Sequence, residues 1–268
     1  MAFFLFFLKN FDDIIYILTQ IKSQIMIPKI IHYCWFGRSE MPKLAIDCIK
    51  SWHKYLPDYE YKLWNEDSFD VNSVPYVKEA YEARKFAFVT DYVRLWALYN
   101  YGGIYMDTDV EILKPLDDLL SLPAFTGYEA SSSMAPVTGL MASASKGVWV
   151  TEQLAYYDNR HFINKDGSFD MTTNTITISN IMTQNGFKIT GEYDVYKNDM
   201  HVFPVDYFCP LTSTRVLKLT SNTYCIHHFA GSWAEKSNKQ KIKEFITKKI
   251  IGPKLTDKLV NLKRKIFK

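Results

Sequence analysis

Residues 86–101 read FAFVTDYVRLWALYNY, and Gly102-Gly103 and the apolar run Ile104-Tyr105-Met106 follow at once. Phe88, Val89, Tyr92, Val93, Trp96 and Tyr99 recur at helical spacing, so the segment predicts one helix. Paired glycines end a helix and let the backbone reverse. The chain is then expected to enter a short strand that delivers Asp107 and Asp109 at its carboxyl end. Side chains alternate across a strand, so both acids should point to one side. Adjacent carboxylates repel each other unless something positive lies between them. A hard divalent cation, Mn²⁺ or Mg²⁺, suits such a pair, and the ion in turn suits a diphosphate. Alone, Asp-x-Asp is more often a solvated turn or a helix cap; the preceding helix gives this copy its weight. Asp91 and Arg94 stand three apart on that helix, one acid and one base in an apolar segment. Buried charges persist only when paired or used, so they form either a core ion pair or part of a site.

The flanking sequence alternates between strand and helix patterns. Strands are expected over 27–35 and 59–64, helices over 42–55 and 74–83, and a short helix over 114–120. Later strands are expected over 124–129 and 138–142, joined by a small-residue loop, 130–136. Helices over 148–157 and 176–184 enclose a polar, turn-rich stretch, 161–173, that reads as a lid or acceptor loop. This alternation argues for one α/β domain on a mostly parallel sheet. Neither a phosphate-binding loop of the GxxxxGK[ST] type nor a GxGxxG turn occurs, so the sequence signatures of P-loop and dinucleotide enzymes are absent.

The run Phe88-Val89-Thr90-Asp91-x-x-Arg94, continued by Gly102-Gly103-x-Tyr105-x-Asp107-x-Asp109, resembles the DXD sugar-binding region of family 32 glycosyltransferases. That group includes capsule and lipooligosaccharide transferases of bacteria and mannosyltransferases of fungi, and the glucosylating domain of large clostridial toxins carries a similar pattern. Two further matches stand in family order: residues 27–37, with His32, Trp35 and Gly37, and residues 226–233, with His227, His228, Ser232 and Trp233. Phe229 departs from the pattern, where a Trp is usual. The resemblance implies a GT-A-like fold and retaining transfer from a nucleotide sugar, a UDP-sugar by expectation. It assigns the metal to Asp109 and Asp107, with the ribose also on Asp107. Sugar hydroxyls would fall to Asp91, and the sugar or diphosphate to Arg94. The nucleoside would lie near Tyr105, with Trp35 stacking on the base and His32 and Gly37 in the donor site. Ser232 and Trp233 would close over the diphosphate. His227 and His228 are adjacent, so on a strand they face opposite ways; one (His228, or else His227) completes the metal shell while the other packs.

At 268 residues the chain is long enough for one large core, and 16% of it is aromatic, as suits a stacking site or an ordinary interior. Cys34, Cys48, Cys209 and Cys225 show no CxxC pair, so reduced cysteines in a cytoplasmic protein are expected, and a zinc centre is not. Residues 1–25 read as an N-terminal extension or peripheral helix, 26–234 as the catalytic domain and 235–268 as a basic amphipathic tail. From Lys236 to Lys268 twelve Lys or Arg oppose two acids, a net +10. Such a tail can lie on anionic lipid at the inner face of the cell membrane, or pack on the domain as a solvated helix. No recognised motif accompanies the charge, so nucleic acid is not expected as a partner.

The expected function is therefore transfer of a sugar to a growing surface polysaccharide or a lipid-linked glycan. The rivals are a non-catalytic nucleotide-sugar-binding module and a toxin-like protein glycosyltransferase. The first should lose Asp91, Asp107 or Asp109, and all three are present; the second lacks a delivery region here. A phosphoryl-transfer enzyme would need further acid clusters, which the sequence does not offer.

Overall fold

The structure, a computed structural model, describes residues 26–130, 134–212 and 215–231. The expectations for residues 1–25, for Ser232 and Trp233, and for the basic tail lie outside these. In chain order the elements are β1 (Ile30–Cys34), α1 (Lys43–Tyr55), β2 (Glu60–Trp64), α2 (Pro75–Glu82), α3 (Phe86–Tyr101), β3 (Gly103–Met106), β4 (Val110–Ile112), β5 (Ala124–Gly127), β6 (Leu140–Ser143), α4 (Val148–Ala155), α5 (Asn174–Gln184), β7 (Asp194–Tyr196), β8 (Met200–Phe203), α6 (Val205–Phe208) and β9 (Cys225–His227).

Seven strands form one sheet in the order β2-β1-β3-β6-β5-β8-β7, and β4 pairs with β9 in a separate two-stranded ribbon. Pairing is parallel for β1 with β2 and β3 and for β5 with β8; β6 and β7 run against their neighbours. Five of the seven strands thus share one direction, and the expected α/β architecture on a mostly parallel sheet is present. Side chains of β3 alternate between two cores. Ile104 and Met106 join Ile31, Trp52 and Phe125 on one face, while Tyr105 joins Val93, Leu98 and Trp149 on the other. Among the described residues no helix is long and apolar enough to cross a membrane.

Helix α3 has the expected bounds. Its sequence is apolar nearly all round because it is covered on most sides, and even Asp91 and Arg94 are buried. Gly102 ends it with φ +64, and Gly103 follows at +110. A Cβ on Gly103 would lie 2.6 Å from the Ile30 carbonyl oxygen, so the β1–β3 approach requires glycine there.

Two expectations need correcting, and one hairpin is additional. Strand β3 stops at Met106, and the Val110 amide donates to the Asp107 carbonyl at 3.0 Å, so Asp107 and Asp109 occupy a turn rather than a strand. Strand β1 starts at Ile30, three residues late, because Pro28 has no amide to offer the ladder and the Ile27 amide donates instead to Leu120. The β7–β8 hairpin was not expected from the sequence. Its turn places Lys197 and Asn198 at φ +51 and +55, which Asn tolerates but which carries no Asn-Gly signature.

The carboxyl ends of β1, β2 and β3 lie side by side, the usual place for a ligand in such a sheet. His32 supports this edge from inside. It is fully buried, between β2 and β3. Trp64 Nε1 can only donate, so His32 Nδ1 accepts at 3.1 Å; the ring proton then sits on Nε2 and is donated to the Gly102 carbonyl at 2.7 Å. Burial lowers its pKa from 6.5 to about 4. A folded-state pKa below the unfolded one means stability is lost as pH falls from about 6.5 toward 4, on the order of 3 kcal/mol. Urea unfolding at pH 7 and pH 4.5 should show a steeper acid loss in the native chain than in His32→Gln, which has no titrating ring.

Candidate functional site

The turn after β3 closes on helix α3 through one guanidinium. Arg94 Nη2 lies 3.1 Å from Asp91 Oδ1 and Nη1 lies 3.3 Å from Asp107 Oδ1, while Nε donates to the Thr90 carbonyl at 3.3 Å. Its Cζ stands 4.6 Å from the Tyr105 ring centroid, a cation–π contact. The Tyr105 hydroxyl donates to Asp107 Oδ1 at 2.9 Å. Asp91 Oδ2 accepts the backbone amide of Asn174 at 3.2 Å, so it also caps the positive end of α5.

These charges hold one another in place. Burial pushes Asp91 up to about 6, against the lowering effect of Arg94. Burial also opposes the charge on Arg94, but Asp107 and Asp91 outweigh it and raise its pKa. The positive group between the acids is thus partly supplied by the protein itself.

The ribbon supplies the third side. Val110 of β4 pairs with His227 of β9, and the His228 amide donates to the Asp109 carbonyl at 2.9 Å. His227 Nε2 comes within 3.5 Å of Asp109 Oδ1 and 4.0 Å of Asp107 Oδ2. One ligand atom from each of Asp107, Asp109 and His227 lies within 4.8 Å of the others. Asp109 Oδ2 is held by the Ala230 amide at 2.7 Å, leaving Oδ1 for the cluster. Burial would raise the Asp109 pKa, but the bond from His227 wins and lowers it. Burial would lower that of His227, but Asp109 raises it well above the ordinary value. Two carboxylates and an imidazole make a donor set that fits Mn²⁺ or Mg²⁺.

Residues 42–126 match the glycosyltransferase sugar-binding region containing a DXD motif.

The matched region runs from the start of α1 into β5 and contains Asp91, Arg94, Asp107 and Asp109, the residues that carry the resemblance in the sequence. The chain is 38% identical over 112 residues to inositol phosphoceramide mannosyltransferase 3 of Schizosaccharomyces pombe, covering 40% of this chain and 31% of that one. It is 28% identical over 145 residues to the mannosyl phosphorylinositol ceramide synthase SUR1 of Saccharomyces cerevisiae, covering 52% and 37%. The chain thus spans about a third of the length of these curated relatives. A solved glycosyltransferase involved in glycosylation of the major capsid of PBCV-1 aligns with TM-score 0.47 at 13% identity, over 80% of this chain and all of that one.

His227 and Asn174 lie beyond the sugar-binding region as matched and reach it only through the fold. Of the two histidines, His227 joins the acids, while His228 turns away to Glu111 Oε2 at 2.8 Å. Trp35 is half-buried at the carboxyl end of β1, its Nε1 donating to the Ser39 carbonyl at 2.7 Å. Gly37 has φ +94, and a Cβ there would fall 2.4 Å from the Phe86 ring, so this turn packs on the start of α3. Tyr105 is buried beneath Arg94, and His32 is enclosed in the sheet with both ring nitrogens bonded to protein. The Phe229 ring lies 4.3 Å from that of His227.

Asn174 and Arg215 are not among the site residues read from the sequence. Arg215 donates to the carbonyls of His228 and, at 3.0 Å, Phe229, and so fixes the turn that carries the Ala230 amide. For Asn174 the usable signal was the run Thr172-Thr173-Asn174, which has the chemistry of a helix start.

Removing Arg94 should be felt throughout the cluster. Arg94→Met leaves Asp91 and Asp107 without their shared cation and should destabilise by about 3–5 kcal/mol, read as a fall in urea midpoint. The deficit should be larger at pH 8 than at pH 5, because Asp91 becomes neutral below about pH 6.

Proposed function

We propose that this chain is a metal-dependent, retaining glycosyltransferase that moves a sugar from a nucleotide-diphosphate sugar to a lipid-linked or polymeric glycan acceptor. The observation that carries this reading is the convergence of Asp107, Asp109 and His227 beside the buried Asp91–Arg94 pair. Asp107 Oδ2, Asp109 Oδ1 and His227 Nε2 would hold the cation. When bound, it supplies a Lewis acid that neutralises charge developing on the leaving diphosphate.

The chain's own groups do the orienting. Each carboxylate of the DXD pair has one oxygen tied to the protein, Asp107 to Arg94 and Tyr105, Asp109 to Ala230. The other oxygen is thereby aimed, with little freedom to lose on binding. Asp91, ionised above about pH 6, accepts hydrogen bonds from sugar hydroxyls. Trp35 offers a ring face to the base. The fungal relatives named as inositol phosphoceramide mannosyltransferases and as a mannosyl phosphorylinositol ceramide synthase support a hexose donor and an acceptor hydroxyl on a lipid headgroup.

Incubation with Mn²⁺ and a panel of nucleotide sugars should give slow donor hydrolysis with one preferred sugar. EDTA should abolish it, and Asp109→Asn should slow it roughly 10³-fold or more while the chain still folds, read by circular dichroism. Binding of a donor without any turnover, with or without acceptor, would make the chain a sugar-nucleotide-binding module instead. Trp35→Ala should weaken nucleotide affinity by about 1–3 kcal/mol in calorimetry and leave the saturated rate nearly unchanged, since stacking acts equally on ground and transition states.

A further inference from the structure

Behind the cation set lies a short segment that the sequence does not mark. Gly139 immediately precedes β6, and its carbonyl accepts the Asp107 amide at 2.7 Å. Its φ is not positive, so backbone conformation does not require glycine there. Space does. A Cβ on residue 139 would stand 2.9 Å from Asp107 Oδ2, 3.1 Å from Val110 Cγ2 and 3.2 Å from His227 Cδ2. The oxygen it would strike is the one Asp107 turns toward His227. Any side chain at this position wedges between two of the three ligand groups.

Thr138, also buried, faces the other side of the imidazole, with Oγ1 3.5 Å from His227 Nδ1. It is itself anchored: its amide reaches Thr126 Oγ1 at 3.4 Å, and that hydroxyl donates to the Leu140 carbonyl at 2.8 Å. A histidine that binds a cation through Nε2 carries its proton on Nδ1, where an acceptor fixes both tautomer and ring angle. Thr138 Oγ1 is placed to be that acceptor, at the outer limit of a hydrogen bond and in company with the buried Cys209 thiol, which also bonds the ring.

We propose that Thr138 and Gly139 form a positioning wall for the cation set, the glycine giving Asp107 and His227 room to face one ion and the threonine hydroxyl holding the imidazole toward it. This rests on the cation reading above. It adds two residues that act through Asp107 and His227.

The test is Mn²⁺ affinity of the full chain, by calorimetry and by electron paramagnetic resonance of the free ion, with melting temperature measured alongside. Gly139→Ala should weaken Mn²⁺ binding tenfold or more. Thr138→Val, close in shape but lacking the hydroxyl, should weaken it about tenfold, and Thr138→Ser should restore near-native affinity. Native affinity within twofold in both Gly139→Ala and Thr138→Val overturns the wall. Should Gly139→Ala fail to fold, the Thr138→Val and Thr138→Ser pair decides, and equal affinity in the two overturns it. A native chain that binds no Mn²⁺ overturns the cation reading itself, and the wall with it.

Discussion

One guanidinium makes the rest of this site physically possible. Asp91 and Asp107 come from different elements, a helix and the turn after a strand, and both lean on Arg94. In a low-dielectric interior an unpaired carboxylate is costly, and two near one another more so. The shared cation lets both acids sit at the sheet edge, and it ties α3 to the turn that carries Asp109. The Tyr105 ring below and the Thr90 carbonyl behind leave the guanidinium little choice of orientation. A lysine could neutralise charge but could not reach three partners in one plane.

Much of this half of the site could be read in the sequence because it is local. Helical spacing located α3, the paired glycines located its end, and Asp91, Arg94, Asp107 and Asp109 fall within twenty positions. The exact seat of the acids was less accessible. Strand alternation put them on one side for the wrong reason; a turn puts them there, and periodicity cannot separate the last residue of a strand from the first of a turn. The choice between His227 and His228 depends on the register of β9 against β4, which no local pattern encodes. Gly139 and Asn174 matter through neighbours far away in the chain, so a single sequence shows them as an ordinary glycine and an ordinary helix start.

The first motif shows the same boundary. His32 and Trp35 lie three residues apart and look alike as donor-facing candidates. The fold separates them. His32 is inside the sheet with both ring nitrogens bonded to protein, and Trp35 sits where β1 runs out. A motif can mark a segment as belonging near a ligand without distinguishing the residues that face it from those that hold the segment still.

Asp107 and His227 are 120 positions apart, and between them the chain builds β5 to β8 and three helices before β9 returns to β4. An ion held by both would act as a clasp across that whole stretch, adding to the ribbon pairing and the core packing of Cys225 that already close the loop. Opening of β9 and release of the ion then become a single event. Ion concentration would govern how often the far end of the domain comes loose, and a stretch of chain distant from the DXD turn would owe part of its persistence to the same atom that serves the chemistry.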